Sequence, residues 1–512
     1  MNKFMNGINA MENTITTENG ATAYGSTLTA LYDMFALGGS YRSRSDDDCI
    51  FLFKKAFEEN EPYALKCLFY LRDVRGGQGE RRFFRVCMKW LATQNIDAAK
   101  RNLKYVPEFG RWDDLYLFVG TPCQDEAFKF MKEQLALDLT CKTPSLLAKW
   151  LKSENTSSQE SRELASKTRR YLGMTSKQYR KTLSVLRERI NVLERLMSAG
   201  KWDEIEFDKI PSRAGFLYKN AFARHDVERA KAGAKTYEDF AKDTTTKVNA
   251  KTLYPYECVE KAREAMGCGY SWFGYRTPTT NTIDRLMVNK YWENLADYIN
   301  GAAFNGIAIV DTSGSMCGSG YGNRTVAPID VAISIGMYCA EKNRGPYAGH
   351  FLTFNSQPKF MKVEGIDFCD KVSRILQAPW GGSTNIEAAF DLILQIAIDN
   401  NCSSDEIPQN LIVISDMEFN SCVTSNNYHF SATDASLFEK MRAKWESYGY
   451  KMPKLVFWNV DARQDNFAMK DEKNVSYVSG FSPVLFEQIM KGKTAQDLMY
   501  DKLNDKRYAC IK

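Results

Sequence analysis

The sequence predicts an α-helical repeat region, shaped as a ring or solenoid, over residues 1–300, followed by an α/β doubly wound domain over residues 301–512. Three observations predict this division. Apolar residues recur at three- and four-residue steps in the first part, as on one face of a helix. In the second part, short β-rich apolar runs alternate with helical stretches. The length of 512 residues also exceeds what one core organises, since domains usually hold about 100 to 200 residues.

The helical character of the first part is clearest between residues 179 and 197, where apolar side chains take one face and charged side chains the other. The apolar set is Tyr179, Leu183, Leu186, Ile190, Leu193 and Met197. This pattern predicts one long amphipathic helix. Shorter helices are predicted over residues 49–57, 63–71, 83–91 and 112–119, with joints that contain Gly or Pro. Because no repeat of fixed period is present, we expect helical hairpins stacked as degenerate, HEAT-like repeats.

The second part contains the strand-like runs of a parallel sheet. These runs cover residues 306–310, 350–354, 411–415, 455–460 and 475–478. Helical stretches, for instance 329–341 and 386–399, lie between them. Strands that alternate with helices predict a doubly wound sheet with helices on both faces. In such sheets ligands bind beyond the carboxyl ends of the strands, so a binding site is expected where these runs end.

Charge is unevenly distributed along the chain. The first 300 residues carry 47 Lys and Arg against 39 Asp and Glu, whereas residues 301–512 carry 21 against 24. The two parts therefore have net charges of +8 and −3, which give the overall +5. A cationic domain attracts polyanions over a distance of a Debye length, so the asymmetry bears on the partners of the first part.

We expect a soluble, cytoplasmic monomer without a membrane partner. The first residues lead into polar sequence without an apolar leader segment, and apolar runs stay well below the roughly 18 residues that span a bilayer. The 13 cysteines form no C-x-x-C pair and lie mostly among apolar neighbours. Reduced core thiols are therefore favoured over disulfides.

A candidate metal site begins where the run 306–310 ends. Asp311, Ser313 and Ser315 form a D-x-S-x-S loop directly after this run. A carboxylate and two hydroxyls on one tight turn are hard oxygen donors, without sulfur or imidazole. This chemistry suits Mg²⁺ first, with Mn²⁺ or Ca²⁺ as alternatives.

Two further oxygen donors follow in the chain. Thr384 lies in the glycine-rich segment 380–385, and Asp416 comes directly after the strand-like run 411–415. The plainer alternative is a helix-capping Asp-Ser turn after a strand. Five donors in the expected order favour the metal site.

These donors resemble the metal-ion-dependent adhesion site of von Willebrand factor A domains in order and approximate spacing. The matched residues are Asp311, Ser313, Ser315, Thr384 and Asp416. The resemblance covers residues 301–512 and implies that the hydroxyls approach the cation directly or through water, while the aspartates steady the shell. One coordination position would stay open for an acidic group from a partner protein. Asn385 and Glu418 lie beside matched positions, where they would support the ligands.

Three segments of the first part resemble the TROVE module of Ro ribonucleoproteins. They cover residues 72–81, 107–115 and 211–213. A TROVE module followed by a von Willebrand A domain is the architecture of the Ro family, and this chain is most similar to its branch known only as a domain of unknown function. The resemblance spans nearly the whole chain. It implies a ring of helical repeats that binds structured small RNAs outside and single-stranded RNA ends in its hole, in noncoding-RNA quality control.

Basic side chains of the first part supply candidate contacts to RNA. Cations can neutralise phosphates, and Tyr171 and Tyr179 can stack on bases, each stack being worth about 1 to 3 kcal/mol. The candidates cluster around the Gly76 turn, around the helix entry near residue 177 and near residue 220. They are Arg72, Arg75, Arg81, Arg82, Arg169, Arg170, Lys177, Arg180, Lys181, Arg187, Lys219, Arg224 and His225.

Structural roles compete with each of these groups. A charged helix face is usually only solvated. The arginines beside Gly76 can instead pair with Asp73 and Glu80 and brace the ring, and bracing and binding are weighed equally there. A lone histidine such as His225 is more often structural than a ligand.

We expect RNA binding rather than catalysis. His225, His350 and His429 fall in no motif with a nucleophile, and no G-x-S-x-G, zinc or Walker signature occurs. The leading hypothesis assigns noncoding or single-stranded RNA to the basic helical surfaces and an acidic protein or small carboxylate to the metal. The alternative is a metal-dependent protein-interaction scaffold without RNA.

Overall fold

The computed structural model describes residues 13–267, 282–301, 303–317, 326–355, 357–377, 384–420, 437–468, 474–490 and 495–512. A helical region comes first, and a mixed sheet domain with mostly parallel strands follows it, as the sequence predicts. Two parts of the sequence interpretation, residues 380–383 and His429, lie outside the described residues.

The helices of the first part pack largely against their neighbours in sequence. They are α1 (Ala30–Leu37), α2 (Asp46–Glu59), α3 (Glu61–Arg72), α4 (Arg82–Gln94), α5 (Ile96–Leu103), α6 (Val106–Phe109), α7 (Gln124–Thr140), α8 (Leu147–Trp150), α9 (Gln159–Leu172), α10 (Ser176–Arg189), α11 (Leu193–Ser198), α12 (Ser212–Arg224), α13 (Asp226–Lys231), α14 (Tyr237–Lys242), α15 (Pro255–Met266) and α16 (Thr282–Glu293). The helices predicted over 49–57, 63–71 and 83–91 lie within α2, α3 and α4. The HEAT-like character of these repeats stays a prediction.

The single long helix predicted between residues 179 and 197 is wrong, because the structure has two helices there, α10 and α11. Asn191 adopts φ 48°, in the left-handed region that ends helices. The turn is closed by Val192 N, which donates to Arg187 O at 3.0 Å. The apolar period continues across this turn, so periodicity alone could not reveal the break.

A second difference concerns residues 112–119, which were predicted to be α-helical. They form a 3-10 helix over Trp112–Phe118. Its first turn is wound around the buried Asp114 carboxylate, which accepts a hydrogen bond from Arg111 N at 2.9 Å. Such tight turns serve as connectors between α-helices.

The described chain begins with a hairpin and not with a helix. Strands β1 (Thr14–Thr16) and β2 (Thr22–Tyr24) pair antiparallel. The turn between them reaches the sheet domain, where Thr17 Oγ1 donates to Phe419 O at 2.7 Å. The prediction that the first 300 residues are helical almost throughout is therefore wrong for this segment, since strands of three residues are too short to show a period.

The sheet has six strands within the described residues. They are β3 (Gly306–Asp311), β4 (His350–Phe354), β5 (Lys359–Lys362), β6 (Asn410–Ser415), β7 (Lys454–Asn459) and β8 (Val475–Ser479). Their order is β5-β4-β3-β6-β7-β8, and every neighbouring pair is parallel except β4 with β5. All five predicted strands are confirmed. The antiparallel β5 was not predicted, and its terminal lysines keep this edge polar.

Helices cover both faces of the sheet. They are α17 (Pro328–Lys342), α18 (Phe368–Leu376), α19 (Ile386–Asp399), α20 (Leu437–Ser447), α21 (Leu485–Ile489) and α22 (Ala495–Leu503). Successive strand residues point to opposite faces. Ile309 accordingly joins the core formed with α19 and α20, whereas Val310 joins the core formed with α17 and α18. The sheet of mostly parallel strands predicted for this part is confirmed, and helices lie on both of its faces.

The helical region contacts the sheet domain at both of its ends. At the start, α1 packs on β8, and Tyr32 Oη accepts a hydrogen bond from Tyr477 N at 3.0 Å. At the end, α15 and α16 pack on α17 and α18. Arg263 and Asp330, both buried, form an ion pair at 2.7 Å across this second contact.

The helical region also closes on itself. Tyr254, which precedes α15, donates from Oη to Gln78 O at 3.0 Å, although 176 residues separate them. Gly79 permits this approach, because it has φ +64° and a Cβ there would lie 1.9 Å from the Tyr254 hydroxyl oxygen. This contact brings the turn after α3 against the segment that precedes α15.

Glu260 on α15 gives the contact between the two parts a pH dependence. Burial, and then the charge of Asp330, raise the pKa of Glu260 to about 7. A carboxyl with a raised folded pKa stabilises the fold below its unfolded pKa, and this stability is lost as pH rises through the folded pKa. Between about pH 5 and 8, we expect urea denaturation to show a loss on the order of 2 kcal/mol in the wild type and much less in Glu260→Gln.

The control is Glu264→Gln, which removes a carboxylate that is 53% exposed on the same helix. It should leave the pH dependence of the wild type in place. An unchanged pH dependence in Glu260→Gln would contradict the assignment of this effect to Glu260.

Two observations bear on the expected class of protein. No helix in the described ranges is both long and apolar enough to cross a bilayer. Each cysteine that the structure describes is a free thiol, and seven of these thiols are buried. The prediction of reduced core thiols agrees with this placement.

Candidate metal and nucleic-acid sites

The carboxyl ends of β3 and β6 bring together two of the predicted metal ligands. Asp311 ends β3 and Asp416 follows β6, and these strands are neighbours in the sheet. Both side chains are buried, with 0% and 1% exposure. Asp311 Oδ2 accepts a hydrogen bond from Ser415 Oγ at 2.5 Å, and its Oδ1 accepts one from Ser313 N at 2.9 Å. The loop after β3 is thereby folded back onto its first carboxylate.

The predicted hydroxyl ligands lie on two loops. Ser313 Oγ and Ser315 Oγ are 3.0 Å apart at the 3-10 turn Gly314–Cys317. Thr384 is buried, and Asn420 N donates to its carbonyl oxygen at 3.2 Å, which joins its loop to the segment after β6. The structure thus joins Asp311 to Ser415, the residue before Asp416, and joins Thr384 to Asn420 on the segment after β6.

The two buried carboxylates create an electrostatic imbalance. Burial, and next the charge of Asp416, raise the pKa of Asp311 to about 7. Both effects disfavour a second negative charge in this place. A cation held between the two groups would remove both penalties.

The donor set suits a small divalent cation. Carboxylate and hydroxyl oxygens are ligands that Mg²⁺ accepts, and it commonly keeps water in its remaining positions. Within the described residues, no group of three or more His, Cys, Asp or Glu side chains is placed to hold a metal ion. Hydroxyls would therefore supply most of the protein ligands here.

The two residues beside the matched positions take separate roles. Asn385 Oδ1 accepts a hydrogen bond from Ala388 N at 3.2 Å and caps α19. Glu418 N donates to Asp416 Oδ1 at 3.3 Å, so Glu418 supports this ligand through its backbone. Its own carboxyl is buried, which raises its pKa to about 7, and accepts a hydrogen bond from Glu18 N at 2.7 Å.

An arginine lies against Asp416. Arg463 pairs through Nη2 with Asp416 Oδ2 and through Nη1 with Glu18 Oε2, the latter at 2.9 Å. Arg463 is 47 residues from Asp416 in sequence and 445 from Glu18. Neither Arg463 nor Glu18 was predicted, because no local pattern connects positions so far apart.

The helical region encloses a cavity of about 910 Å³. Its wall passes from the turn between α3 and α4 through α8, α10, α11 and α12 to Tyr254. The charged residues that line it are Arg72, Arg81, Arg111, Lys149, Glu154, Arg180, Arg187, Glu194, Arg195 and Arg213. Eight of these ten are cationic, so the wall carries a positive potential.

Arg81 is a cation of this wall with an unused donor. Its Nε is buried and has no hydrogen-bond partner among the described residues. Burial lowers the pKa of Arg81 to about 10, and the charges of Arg111 and Arg72 add to this effect. The guanidinium therefore stays protonated at neutral pH although like charges crowd it. A bound anion would relieve this crowding and accept the free donor.

Three more wall cations carry no ion pair within the part of the chain that the structure describes. Arg180 is exposed, and its only hydrogen bond there is from Nε to Ser176 O at 3.4 Å. Lys149 is half-buried. Arg187 donates to backbone oxygens, including Leu151 O at 2.9 Å, so its charge is fixed in place without a carboxylate.

The other wall cations have acidic partners. These pairs are Arg72 with Asp114, Arg111 with Asp113, Arg195 with Glu188 and Arg213 with Glu257. The Arg213 side chain nevertheless remains 56% exposed. An exposed surface pair is weak, so Arg213 can still contact an anion.

The cavity also offers apolar and aromatic surface. The Trp150 ring is half-buried, and the Arg111 guanidinium lies 4.0 Å from its centroid. Leu217 is 72% exposed in the wall. Of the two residues predicted to stack on bases, Tyr179 lines the cavity but is buried and donates to Lys152 O. Tyr171 stacks on Phe128 and lies outside the cavity lining.

Four of the residues predicted to contact RNA line the cavity. They are Arg72, Arg81, Arg180 and Arg187. Arg72 is only 1% exposed and pairs with Asp114 at 2.6 Å, so it braces the fold. Asp73 and Glu80 do not pair with local arginines as the bracing alternative supposed, because their partners are Arg507 and Arg42.

The remaining candidates lie outside the cavity lining. They are Arg75, Arg82, Arg169, Arg170, Lys177, Lys181, Lys219, Arg224 and His225. Lys177 and Lys181 are exposed on α10. Three others are held in ion pairs, namely Arg82 with Asp46, Arg169 with Glu154 and Lys219 with Asp284.

The contacts of His225 suit a structural role, which is the plainer alternative for this residue. Its ring stacks on Trp202 with centroids 3.8 Å apart, and its Nδ1 lies 2.7 Å from Glu228 Oε2. Both contacts are available to a histidine that only packs the surface of the fold.

Sequence reasoning missed several residues of the cavity wall. They include Arg111, Lys149, Trp150, Arg195, Tyr218 and Tyr254. They come from segments far apart in sequence, and tertiary packing brings them together. Arg111 belongs to the segment 107–115, but nothing in that sequence indicates that Arg111 reaches Trp150.

Two family models match this chain. A model described as domain of unknown function DUF2828 matches residues 17–144 and 134–302, and one described as domain of unknown function DUF7788 matches residues 305–508. The border between these matches falls at the change from the helical region to the sheet domain.

Two proteins similar to this chain cover nearly all of it. An uncharacterised protein, L728, of Acanthamoeba polyphaga mimivirus is 32% identical over 523 residues, which cover 94% of this chain and 86% of the viral protein. The crystal structure of the Deinococcus radiodurans Ro (RSR) protein superposes with a TM-score of 0.46 and 14% identity, and covers 93% of this chain and 99% of that one.

Proposed function

The chain belongs to the DUF2828 family, and we propose that its helical region binds single-stranded RNA, including the ends of noncoding RNA, in the basic cavity. The observation that carries this proposal is the unsatisfied Arg81 guanidinium in a wall with eight cations and two acids. Phosphates are the anions that such a wall would stabilise.

The cavity favours a single strand over other polyanions. A single strand presents bases as well as phosphates, and bases stack on aromatic rings or pack on apolar side chains. Trp150 and Leu217 offer that surface beside Arg81 and Arg180. A duplex keeps its bases stacked inside and would leave this surface without a partner.

The exposed lysines of α10 are proposed to make a second, weaker contribution to RNA affinity. Lys177 and Lys181 carry no ion pair within the described ranges, and they lie three residues before and one residue after Arg180. They would attract the backbone of a longer RNA as it leaves the cavity. Such phosphate contacts carry no sequence preference.

The sheet domain is proposed to hold a divalent cation, with Mg²⁺ preferred. Asp311, Ser313, Ser315, Thr384 and Asp416 would supply its protein ligands. The buried pair of carboxylates supports this assignment, since their mutual repulsion favours a bound cation. The bound ion would offer a coordination position to an acidic group of a partner. No catalytic role is assigned to it.

Filter binding with the purified full chain tests the RNA proposal. A labelled single-stranded RNA should be retained at low salt, and the same RNA annealed to its complement should be retained much less. Equal retention of both forms, or retention of neither, would count against the cavity as the binding site. If EDTA instead releases a co-purifying protein and no nucleic acid is present, the scaffold alternative is favoured.

The metal and RNA sites are expected to be separable by mutation. Asp311→Ala and Asp416→Ala should each weaken Mg²⁺ binding at least about tenfold, because each removes a buried oxygen ligand. RNA affinity should stay within about twofold of the wild type, since the cavity lies in the helical region. Calorimetric titration with Mg²⁺ and fluorescence anisotropy with labelled RNA measure the two effects. An equal loss of RNA binding would show that the metal loops take part in the RNA site.

A further inference from the structure

The turn of the first hairpin is docked on the loop that follows β6. Besides the Thr17 contact to Phe419, Asn19 Nδ2 donates to Glu418 O at 2.6 Å and Glu18 N donates to the Glu418 carboxylate at 2.7 Å. These contacts hold the Glu18 side chain beside the predicted metal ligand Asp416. The Glu18 carboxylate itself remains 43% exposed.

One guanidinium joins Glu18 to Asp416. Its Nη1 bonds to Glu18 and its Nη2 bonds to Asp416, so oxygens of two carboxylates contact the same guanidinium. Arg463 thus neutralises the charge of Asp416, which is one of the proposed metal ligands.

We propose that Arg463 is a displaceable substitute for the divalent cation, and that a cation which displaces it is held between Asp416 and Glu18. Glu18 then becomes an acidic ligand supplied by the chain itself, at the position where a partner's carboxylate would otherwise bind. This inference rests on the proposed metal site.

The contacts of Arg463 fit a group that can leave. Its Nε is buried without a hydrogen-bond partner in the described part of the chain, and its side chain is 20% exposed, so a path to solvent exists. Its backbone is held separately, because Arg44 Nη1 donates to Arg463 O at 2.8 Å. The side chain can therefore swing away while the loop stays in place.

Charge favours the replacement of the Arg463 guanidinium by a divalent cation. A divalent cation brings twice the charge of the guanidinium to the same two carboxylates. Arg463 in its bound position repels the cation and blocks Asp416. The apparent affinity for the cation is then the intrinsic affinity multiplied by the fraction of molecules in which Arg463 has left.

Removing the arginine charge should therefore tighten cation binding. Arg463→Gln keeps a long polar side chain without the charge, and we expect the dissociation constant for Mn²⁺, read by electron paramagnetic resonance of the full chain, to fall about tenfold. The control is Arg374→Gln on α18, which removes a 51% exposed arginine that pairs with Asp370 in the same domain. It should leave Mn²⁺ affinity unchanged.

The outcomes separate this proposal from the metal site itself. If Mn²⁺ binds to neither the wild type nor Arg463→Gln, the metal site and the exchange both fail. If it binds to both with equal affinity, or less tightly to Arg463→Gln, the metal site stands and the exchange is wrong.

The role of Glu18 is tested in the Arg463→Gln background, where Glu18 no longer has an arginine to hold. Adding Glu18→Gln should weaken Mn²⁺ binding about tenfold if its carboxylate contacts the cation. The matched control adds Glu58→Gln, since Glu58 on α2 is also exposed, at 63%. An unchanged affinity in the Glu18 double variant would remove Glu18 from the proposal.

Discussion

Replacing Asp114 by alanine is expected to lower the free energy of unfolding by roughly 4 kcal/mol, the largest loss of stability that we predict for a single substitution. Asp114 is fully buried and accepts hydrogen bonds from Arg72 Nε at 2.9 Å, Arg85 Nε at 2.7 Å and the backbone of Arg111. Without it, Arg72 would keep its charge at 1% exposure and lose its carboxylate partner. Urea denaturation followed by circular dichroism measures the change.

The physical reason is that the alanine leaves the positive charges of Arg72 and Arg85 without the Asp114 carboxylate. Burial acts to raise the pKa of Asp114, but Arg72 and Arg85 outweigh it and hold the pKa below its ordinary value. The carboxylate is therefore charged and paired in the fold, and its removal breaks a buried network and not a surface pair.

A surface ion pair provides the comparison. Glu61 pairs with Arg101 at 3.0 Å, where the side chains are 38% and 47% exposed, and Glu61→Ala should cost less than about 1 kcal/mol. Asp114→Asn retains part of the hydrogen bonding, so its loss in free energy of unfolding should lie between those of Glu61→Ala and Asp114→Ala. A loss below about 1 kcal/mol in Asp114→Ala would contradict the bracing role of Arg72.

Reversing the charge of Arg180 should have the largest effect on RNA binding. Arg180 lines the cavity, is exposed and carries no ion pair within the described ranges, so Arg180→Glu replaces an available cation with an anion. We expect affinity for a single-stranded RNA to fall about 10- to 100-fold, or by about 1.4 to 2.8 kcal/mol. Fluorescence anisotropy at constant salt measures the change.

Lys181→Glu is the matched control for Arg180→Glu. Lys181 is the next residue of α10 and is also exposed, but it lies outside the cavity lining. The same change in net charge should therefore cost clearly less affinity than Arg180→Glu. Equal losses would place the RNA on the outer face of α10 and not in the cavity.

The sheet domain was predictable because its signals are local. Strands of five or six apolar residues followed by Asp311 or Asp416 identify both the sheet and the edge at which ligands gather. The Asp-x-Ser-x-Ser loop adds its own chemistry within five residues. What could not be predicted was Arg463, since its contact with Asp416 depends on how the loops after β6 and β7 approach each other.

The helices of the first part were predictable from the sequence, but the cavity that they line was not. Periodicity gave the faces of α2, α3 and α4, but it passed over the break at Asn191, where the left-handed residue keeps the apolar register. The cavity depends on closure between Gln78 and Tyr254, and a sequence does not display contacts over 176 residues. Four residues of the basic clusters near residues 72–82 and 169–189 line this cavity, namely Arg72, Arg81, Arg180 and Arg187.

The contacts of the first hairpin also could not be predicted, because they join residues that are far apart in sequence. Thr17, Glu18 and Asn19 form an unremarkable polar turn in sequence, yet each bonds to the loop after β6. Their importance comes from a neighbour about 400 residues away, as the separations of these bonds show.

The most direct test of the account is the salt dependence of wild-type binding to single-stranded RNA. Within the described residues, Arg81, Lys149 and Arg180 are the wall cations that carry no ion pair and keep donors available to phosphates. The slope of log affinity against log salt concentration should therefore be about −2 between about 50 and 200 mM KCl, and it should become shallower in Arg180→Glu. A slope near zero, or the same slope in the wild type and Arg180→Glu, would contradict RNA binding in the basic cavity.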